Sequence, residues 1–300
     1  MNVSRILSLV IATCGRDVPL RALLDSIPSD CADRVRIVVV DQNDDDRLIP
    51  LLASVRADLS LEHLRVPFQH ASRARNLGAR HASTEWVAFP DDDATFLPMA
   101  LERFFALENT SLDVIGGQIV DEAGAPHLIA WLDHDAAITR DTLDFTFVES
   151  SFFIRRDVFL RIDGFDPLFG PGAPFPAAEG ADLMRRLWHE GTALRTLYTP
   201  SIQLYHPEKS TDETPTGRDR VRRFAFAEGA FVARHLRVLP KAPVLRKLVL
   251  RIGGVCLTRS EKRRRKIAYL AGFFRGFFAY IHLQRARLRI EQPSYEPEQR

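Results

Sequence analysis

The sequence has little cysteine and no long apolar run. Its three cysteines, Cys14, Cys31 and Cys256, are far apart and odd in number, and they fit no metal-ligand spacing. They indicate a chain from a reducing compartment and exclude a disulfide-stapled secreted domain. No stretch reaches the roughly 18–20 apolar residues that a membrane-spanning helix needs. The apolar run near the N-terminus lacks the small-residue cleavage site of a signal peptide, so we expect none.

Lysine is scarce in the first part of the chain, where Lys209 is the only one before residue 217. Residues 1–216 contain 20 Lys and Arg against 33 Asp and Glu, a net charge of −13. Residues 217–300 contain 21 against 6, a net charge of +15. This asymmetry predicts two regions with different partners. We expect one domain over residues 1–210 and a basic, Phe-rich helical region over residues 217–300.

Short apolar runs alternate with helical patterns in the acidic region, which predicts a mainly parallel, Rossmann-like α/β sheet. Strands are predicted at 6–13, 35–41, 61–66, 85–90, 113–120 and 145–155, with two short ones within 193–206, and helices at 19–27, 48–55, 71–83, 98–108 and 179–191. Binding sites in such sheets gather at the carboxyl ends of the strands. Thr13, Asp41 and Asp91 all stand at predicted strand ends, which predicts one shared pocket.

Three consecutive aspartates end the apolar run of the stretch "WVAFPDDDATF". Like charges at Asp91, Asp92 and Asp93 repel one another and raise each other's pKa. Mg²⁺ and Mn²⁺ prefer oxygen ligands, and a diphosphate supplies further oxygens that the metal can bridge. The triplet at a buried strand end therefore predicts a divalent metal that carries a phosphate. A solvated aspartate turn is the alternative interpretation.

The same stretch also fits the D-x-D-x-T pattern of haloacid-dehalogenase-like phosphatases, in which Asp91 would be the nucleophile. Those enzymes need a lysine in the core that follows. Only Lys209, in a polar linker predicted over residues 207–219, is present before the basic region. Three predicted strands also precede the motif, whereas the phosphatase motif usually follows the first strand.

Two arginines and an asparagine lie just before the acidic strand, in "ASRARNLGARHAS". Arginine forks match the geometry of phosphate and carboxylate groups. Arg73, Arg75 and Asn76 are therefore candidates for ligand contacts, with salt bridges along a helix face as the alternative.

Six segments together carry a family resemblance over about residues 5–207. In chain order they are "SLVIATCGRDVPLRALLDSI", "VVVDQND", "SRARNLGARHAS", "WVAFPDDDATF", "RIDGFDPLFGPGAPFPAAEGADLMRRLWHEG" and "YTPSIQLYHP". On these motifs the sequence resembles an inverting family 2 glycosyltransferase of the GT-A fold. The contacts to nucleotide and sugar donor that the resemblance implies are Thr13, Arg16, Asp41, Arg73, Arg75, Asn76, Asp91 and Asp92. It implies Mn²⁺ or Mg²⁺ held by Asp91, Asp93 and His206.

The sequence departs from the family pattern at the acceptor-side helix. The family commonly shows two adjacent acids, any residue, and then Asp-Leu, with the second acid often the base. Here the stretch is "AEGADL", in which Glu179 and Asp182 match the outer acids and Gly180 replaces the second. Because the mechanism needs a carboxylate to deprotonate the acceptor hydroxyl, Glu179 is the predicted base and Asp182 a second catalytic candidate or a brace. Glu149 and Phe175 are predicted on the acceptor side.

The basic region contains the stretch "RSEKRRRKIAYLAGFFRGFFAYIHLQRARLR". A helix there would place one apolar face opposite Arg275 and His282, formed by Phe273, Phe274, Phe277, Phe278 and Ile281. Such a helix favours an anionic membrane surface as a partner. A helix packed on the catalytic domain is the alternative. Because no nucleic-acid recognition module is present, we expect no nucleic-acid partner.

These patterns predict a metal-dependent inverting glycosyltransferase that takes a sugar from a nucleotide-diphosphate sugar, by expectation UDP-linked. The expected acceptor is a hydroxyl of a saccharide or lipid-linked saccharide in cell-surface polysaccharide synthesis. The expected location is cytoplasmic, peripheral at the inner face of the membrane. The alternative is a non-catalytic relative that binds sugar nucleotide or membrane, and turnover separates the two.

Overall fold

A computed structural model describes residues 5–189, 193–207, 214–237 and 261–291, together with residues 239, 246, 248–250 and 252–253. The chain divides into two compact units. The first comprises Met1–Ala173 and Glu179–Lys209, and the second comprises Pro174–Ala178 and Ser210–Arg300. Residues 208–213 of the polar linker predicted over residues 207–219 lie outside the described residues, and residues 215–219 already belong to a helix that begins at Pro215. No helix in the described part of the chain is long and apolar enough to cross a bilayer.

The described strands are β1 (Leu7–Thr13), β2 (Val35–Asp41), β3 (Ser60–Arg65), β4 (Trp86–Ala88), β5 (Thr95–Phe96), β6 (Val114–Val120), β7 (Phe152–Arg155) and β8 (Thr196–Tyr205). The described helices are α1 (Val18–Asp25), α2 (Leu48–Ala53), α3 (Ala71–His81), α4 (Ala100–Leu107), α5 (Leu143–Thr146), α6 (Arg156–Arg161), α7 (Glu179–His189), α8 (Pro215–His235) and α9 (Glu261–Glu291).

The first unit is built on an eight-stranded sheet with the order β3-β2-β1-β4-β7-β6-β8-β5. The strands β3, β2, β1 and β4 run parallel, whereas β7 is antiparallel to both β4 and β6. The predicted α/β class is confirmed, and the parallel arrangement holds for the first half of the sheet. Thr13 and Asp41, the last residues of β1 and β2, are register partners.

Both faces of the parallel half are covered, which explains the nearly continuous apolar runs of its strands. Leu9 and Ile11 of β1 pack into a core with side chains of α1 and α4. Val10, on the opposite face, packs into a second core with side chains of α3, α6 and α7. The alternation along β1 therefore divides the interior of this unit into two apolar layers, one on each side of the sheet.

Two sequence predictions in the second half of the sheet are wrong. Only the end of the strand predicted over residues 145–155 is a strand, because Thr146 and Ser151 bond locally instead. The Thr146 hydroxyl donates to the Thr142 carbonyl at 2.8 Å, and the Ser151 hydroxyl donates to the Val148 carbonyl at 3.3 Å. Such side-chain bonds to backbone compete with strand pairing.

The two short strands predicted within residues 193–206 are the single strand β8. Pro200 in its middle lacks a ladder donor. The pairing with β6 shifts register between Gly116 and Gln118, and this irregularity accommodates the proline. The two-residue strand β5 is too short to carry a periodic signal and was not predicted.

The second unit contains the long helices α8 and α9, which pack on each other through glycines. A Cβ atom added at Gly229 would overlap the backbone of Phe273 on α9, and one added at Gly276 would overlap the backbone of Phe226 on α8. The two backbones therefore approach more closely than any larger residue at these positions would allow. Tyr269 and Phe273 of α9 fill the interface beside the glycines.

This packing divides the apolar face predicted for α9. Phe273 is buried and Phe277 packs partly buried in the same cluster, whereas Phe274 and Phe278 are 41% and 62% exposed. Ile281 is half-buried. The predicted face thus serves in part as the contact with α8, and two of its five side chains remain exposed.

Gly78 gives a direct test of how tightly α3 packs on the sheet. A Cβ atom at this position would overlap the Val10 side chain of β1. Gly78→Ala is expected to lower the free energy of unfolding by about 1–3 kcal/mol, as overpacking does, although alanine favours a helix by about 1 kcal/mol over glycine. Urea unfolding measures the change. Gly253→Ala is the control, because a methyl group there meets no described residue within 4 Å.

Candidate active site

The acidic triplet lies at the carboxyl edge of the parallel strands, immediately beyond β4. Arg16, in the turn after β1, reaches across to it. The Arg16 Nη1 atom lies 2.7 Å from Asp92 Oδ1 and 2.6 Å from Asp93 Oδ2. Burial raises the pKa of Asp92, and the charge of Arg16 offsets part of this rise. The positive charge of Arg16 therefore offsets part of the repulsion between Asp92 and Asp93.

The outer two aspartates of the triplet form a cluster with a histidine at the end of β8. The His206 Nε2 atom lies 3.4 Å from Asp91 Oδ2 and 3.3 Å from Asp93 Oδ1. One ligand atom from each of the three residues lies within 4.8 Å of the others, a spacing that fits a metal ion. Two carboxylates and an imidazole are ligands that Mn²⁺ and Mg²⁺ accept.

The electrostatics of this cluster favour a cation. Burial alone would lower the pKa of His206, but its hydrogen bonds to Asp91 and Asp93 and their charges raise the pKa to about 9. The two carboxylates therefore attract positive charge strongly enough to protonate a buried imidazole. A divalent cation between the same groups would satisfy that demand more fully.

Arg75 of α3 joins the triplet to α7. Its Nη2 atom donates to Asp91 Oδ1 at 2.6 Å, and its Nη1 atom donates to Glu179 Oε1 at 3.0 Å. Burial would lower the pKa of Arg75, but the charges of Asp91, Glu179 and Glu149 raise it, so the guanidinium stays charged. One buried cation therefore lies among three carboxylates.

The two acids predicted for catalysis are both buried and ion-paired. Glu179 is 3% exposed and pairs with Arg75. Asp182 is fully buried, and its Oδ2 atom accepts from Arg186 Nε at 2.7 Å. Arg186 also donates to the backbone carbonyls of Ile162 and Gly164, so this pair braces α7 against the preceding loop.

Glu149 lies in a 3₁₀ turn just before β7, near the same acids. Burial raises the pKa of its carboxyl to about 7, and the charges of Glu179 and Asp91 add to that rise, while Arg75 lowers it. Its side chain is half-buried. Glu149, which the sequence predicts on the acceptor side, is therefore a carboxyl group whose pKa lies close to neutral pH.

A cavity of about 650 Å³ opens beyond the ends of β2 and β3. Its lining residues are Gln42, Asn43, Asp44, Arg65, Val66, Pro67, Phe68 and Gln69. Asp41 lies directly before this lining and is buried, with Oδ1 bound by Asn43 and Oδ2 2.9 Å from His63 Nε2. Asp41 was proposed from the sequence as a site residue, whereas the residues that line the cavity were not. The polar run after Asp41 and the aromatic Phe68 are the signals in the sequence that point to them.

The remaining predicted residues have different surroundings. The Arg73 guanidinium lies over the Phe68 ring, 4.2 Å from its centre, at the rim of the cavity. Both polar atoms of the Asn76 amide bond to the backbone of Phe165, at 2.7 and 2.8 Å. Phe175 belongs to the second unit, where it packs against Phe226 and Tyr280. The functional roles predicted for these residues stay predictions.

Comparisons with known proteins agree on the class of fold. The structure is similar to residues 1–349 of TarS from S. aureus, with a TM-score of 0.58 and 16% identity over 96% of this chain and 93% of that one. It is similar also to the mannosyltransferase PcManGT from Pyrobaculum calidifontis, with a TM-score of 0.59 and 17% identity over 97% of this chain and 81% of that one.

At the sequence level, an uncharacterized glycosyltransferase from Haemophilus influenzae is 27% identical over 97 residues. The match spans 32% of this chain and 32% of that relative, about a third of its length. The family model for glycosyl transferase family 2 matches residues 8–162, just over half of the chain, which include β1 to β7, Arg16, Arg75 and the whole acidic triplet. With that match and the sheet described above, the chain belongs to glycosyl transferase family 2 and has the GT-A fold.

Proposed function

We propose that this protein is a metal-dependent, inverting glycosyltransferase that uses a nucleotide-diphosphate sugar. The observation that carries the proposal is the cluster of Asp91, Asp93 and His206 beside two arginines, at the same edge of the sheet as the cavity at the ends of β2 and β3. Of the similar structures, TarS has been solved with UDP-GlcNAc and with UDP, and PcManGT with GDP-Man and Mn²⁺. These ligands support the proposed class of donor.

In this proposal the cavity holds the nucleoside, with Asp41 and Arg73 at its margin. Arg16 and Arg75 contribute positive charge beside the diphosphate. A divalent metal held by Asp91, Asp93 and His206 would neutralise charge on the leaving diphosphate. A carboxylate on the acceptor side takes the proton of the acceptor hydroxyl, whose oxygen bonds to the anomeric carbon while the bond to the diphosphate breaks.

The test is a donor panel that includes UDP-GlcNAc and GDP-Man. Release of nucleoside diphosphate is measured with Mn²⁺ or Mg²⁺, with a bacterial membrane extract as the source of acceptor. We expect release that depends on both metal and extract. Binding of a donor without any release would instead favour the non-catalytic relative. Release of inorganic phosphate from simple phosphate esters would favour the phosphatase interpretation.

We also propose that the second unit binds an anionic membrane surface, which would bring a lipid-linked saccharide acceptor of surface-polysaccharide synthesis to the enzyme at the cytoplasmic face. Ile267, Phe274 and Phe278 of α9 are exposed and recur at spacings of seven and four, so they lie along one side of the helix. We call these three residues the apolar stripe. Exposed Arg264 and Arg275 lie next to it along the helix, and the region carries the net charge of +15. Charge and apolar area together suit an anionic bilayer.

Vesicle sedimentation tests this proposal on the full-length protein. Phe274→Ser with Phe278→Ser is expected to abolish the part of the binding that survives high salt, because that part depends on apolar insertion. Arg264→Glu with Arg275→Glu is expected to weaken the part that salt screens. Phe145→Ser is the control, because Phe145 is 43% exposed on the acidic first unit. Equal sedimentation of wild type with anionic and with neutral vesicles would refute the proposal.

A further inference from the structure

Three acidic residues are candidates for the base, two in α7 and one in the turn before β7. They differ in how far they are buried and in whether an arginine holds them. Asp182 is fully buried against Arg186, and Glu179 is buried against Arg75. Glu149 is half-buried, and it forms no ion pair with any residue in the described parts of the chain. A carboxylate held by an arginine takes up a proton less readily, so the lack of an ion pair in the described residues favours Glu149 as the base.

Gly180 shows where the side chain of Glu149 lies. A Cβ atom added at Gly180 would stand 2.7 Å from the Cβ atom of Glu149 and 2.8 Å from its Oε2 atom. The carboxylate of Glu149 therefore occupies the space into which a side chain at position 180 would extend. The glycine is required by this approach, because any larger residue would displace Glu149.

The turn that carries Glu149 is held in place by its neighbours. Ser151, two residues on, donates from its hydroxyl to the Gly117 carbonyl of β6 at 2.9 Å. The backbone N–H of Ser151 donates to the Val148 carbonyl at 3.1 Å. The carboxyl group of Glu149 is thus presented from a turn fixed to the central sheet, as a positioned catalytic group requires.

We propose that Glu149 is the base that deprotonates the acceptor hydroxyl, from the space that an acidic side chain at position 180 would otherwise fill. This assignment rests on the proposed transferase function. The acceptor O–H proton passes to a carboxylate oxygen of Glu149 as the acceptor oxygen bonds to the anomeric carbon. The bond from that carbon to the diphosphate breaks, and the nucleoside diphosphate leaves with the electron pair. Glu179 is then a positioning residue that holds Arg75.

The charges around Glu149 suit this role. Its carboxyl faces Glu179 of α7, Asp91 beyond β4 and Arg75 of α3, and the two acids together with burial outweigh the arginine. A pKa near 7 places the carboxyl where a general base at neutral pH is most effective. Below that pH the group holds its proton and cannot accept another, so activity should decline on the acid side.

The test compares three glutamate variants by nucleoside diphosphate release, with the donor panel and membrane extract described above. Glu149→Gln is expected to lower kcat at least ~100-fold with little change in the KM for donor. It is also expected to remove the fall in kcat/KM below about pH 7. Glu149→Asp should recover part of the rate, because a shorter carboxylate is retained. Glu85→Gln is the control and should match wild type. Glu85 is exposed and lies just before β4, at the end of that strand away from the acidic triplet.

Glu179→Gln separates this assignment from the one that the sequence predicts. With one negative neighbour removed, the pKa of Glu149 falls, so the acid side of the pH profile should move to lower pH while most of the rate is kept. A loss of at least ~100-fold in Glu179→Gln with normal rates in Glu149→Gln would overturn the proposal and make Glu179 the base.

A double variant tests the shared space directly. Glu149→Gly opens the space beside α7, and adding Gly180→Asp places a carboxylate in that space from α7 itself. The double variant is expected to be more active than Glu149→Gly alone, whereas Gly180→Asp alone should be impaired by the overlap with Glu149. If the double variant is no more active than Glu149→Gly, and Glu149→Gln is as active as wild type, Glu149 is not the base. If wild type releases no nucleoside diphosphate from any donor, the proposed function fails, and this inference fails with it.

Discussion

Asp93→Ala is expected to abolish metal-dependent binding of the nucleotide while leaving the fold intact. The side chain of Asp93 contacts His206 and Arg16 at the edge of the sheet and fills no part of either apolar core. Its loss removes one of three candidate ligands, and the decrease in affinity should exceed the ~10–100-fold that changes behind metal ligands cause. Calorimetry with UDP and Mn²⁺, with and without a chelator, measures the effect.

A second run of aspartates supplies a matched control for this experiment. Asp45 lies in the loop after β2 within "NDDDR", is exposed, and pairs with Arg47 at 2.6 Å. Asp45→Ala removes the same group from another Asp triplet and should leave binding of UDP and Mn²⁺ unchanged. Identical affinities for Asp93→Ala and wild type would eliminate the metal assignment at this cluster.

Arg75→Met is expected to have the largest effect on stability of the changes considered. The variant leaves Asp91, Glu179 and Glu149 together with no cation between them. Breaking a buried ion pair from one side typically lowers the free energy of unfolding by about 3–5 kcal/mol, because the opposite charge stays buried. Urea unfolding at several pH values measures the loss of stability. Arg75→Lys keeps the positive charge but cannot donate to Asp91 and Glu179 through two guanidinium nitrogens, so it should lose less stability.

The pH dependence of Arg75→Met follows from the signs of the pKa shifts. In the folded wild type Glu149 already has a pKa raised from 4.5 to about 7, and removal of the arginine raises it further. A raised carboxyl pKa costs stability as pH rises from 4.5 through the folded-state value. The part of the Arg75→Met deficit that arises from Glu149 should therefore be present at high pH and shrink as pH falls through about 7, where Glu149 is protonated in both folded proteins. A deficit of equal size at pH 4 and pH 8 would contradict this electrostatic explanation.

The sequence predicted the site best where a polar residue follows directly on the apolar pattern of a strand. Thr13, Asp41 and Asp91 were predicted to meet because each ends a buried strand, and register pairing places the first two side by side. The helix predicted over residues 71–83 is confirmed as α3, which ends at His81. Its local pattern did not show that Arg75 would bridge two carboxylates 16 and 104 positions away.

The surroundings of Glu149 were harder to predict, for a physical reason. Local hydrogen bonds of Thr146 and Ser151 override the strand pattern around Glu149, and strand propensity does not contain that information. The proximity of Glu149 to Gly180 depends on how α7 packs against the turn before β7, which is tertiary structure. The sequence shows glycine at position 180 where the family pattern has an acid, whereas the position of Glu149 beside Gly180 is seen only in the three-dimensional structure.

The assignment of residues Pro174–Ala178 to the second unit has a consequence for protein engineering. Phe175, within this segment, is buried by Phe226 and Tyr280, and Ala178 is followed directly by Glu179 at the start of α7. The modules of this protein are thus interleaved along the chain. A chimera that exchanges only the C-terminal helices would leave Phe175 facing a foreign surface, next to the helix that carries Gly180. Grafts that exchange residues 174–178 with those helices should preserve activity better than a single cut in the linker.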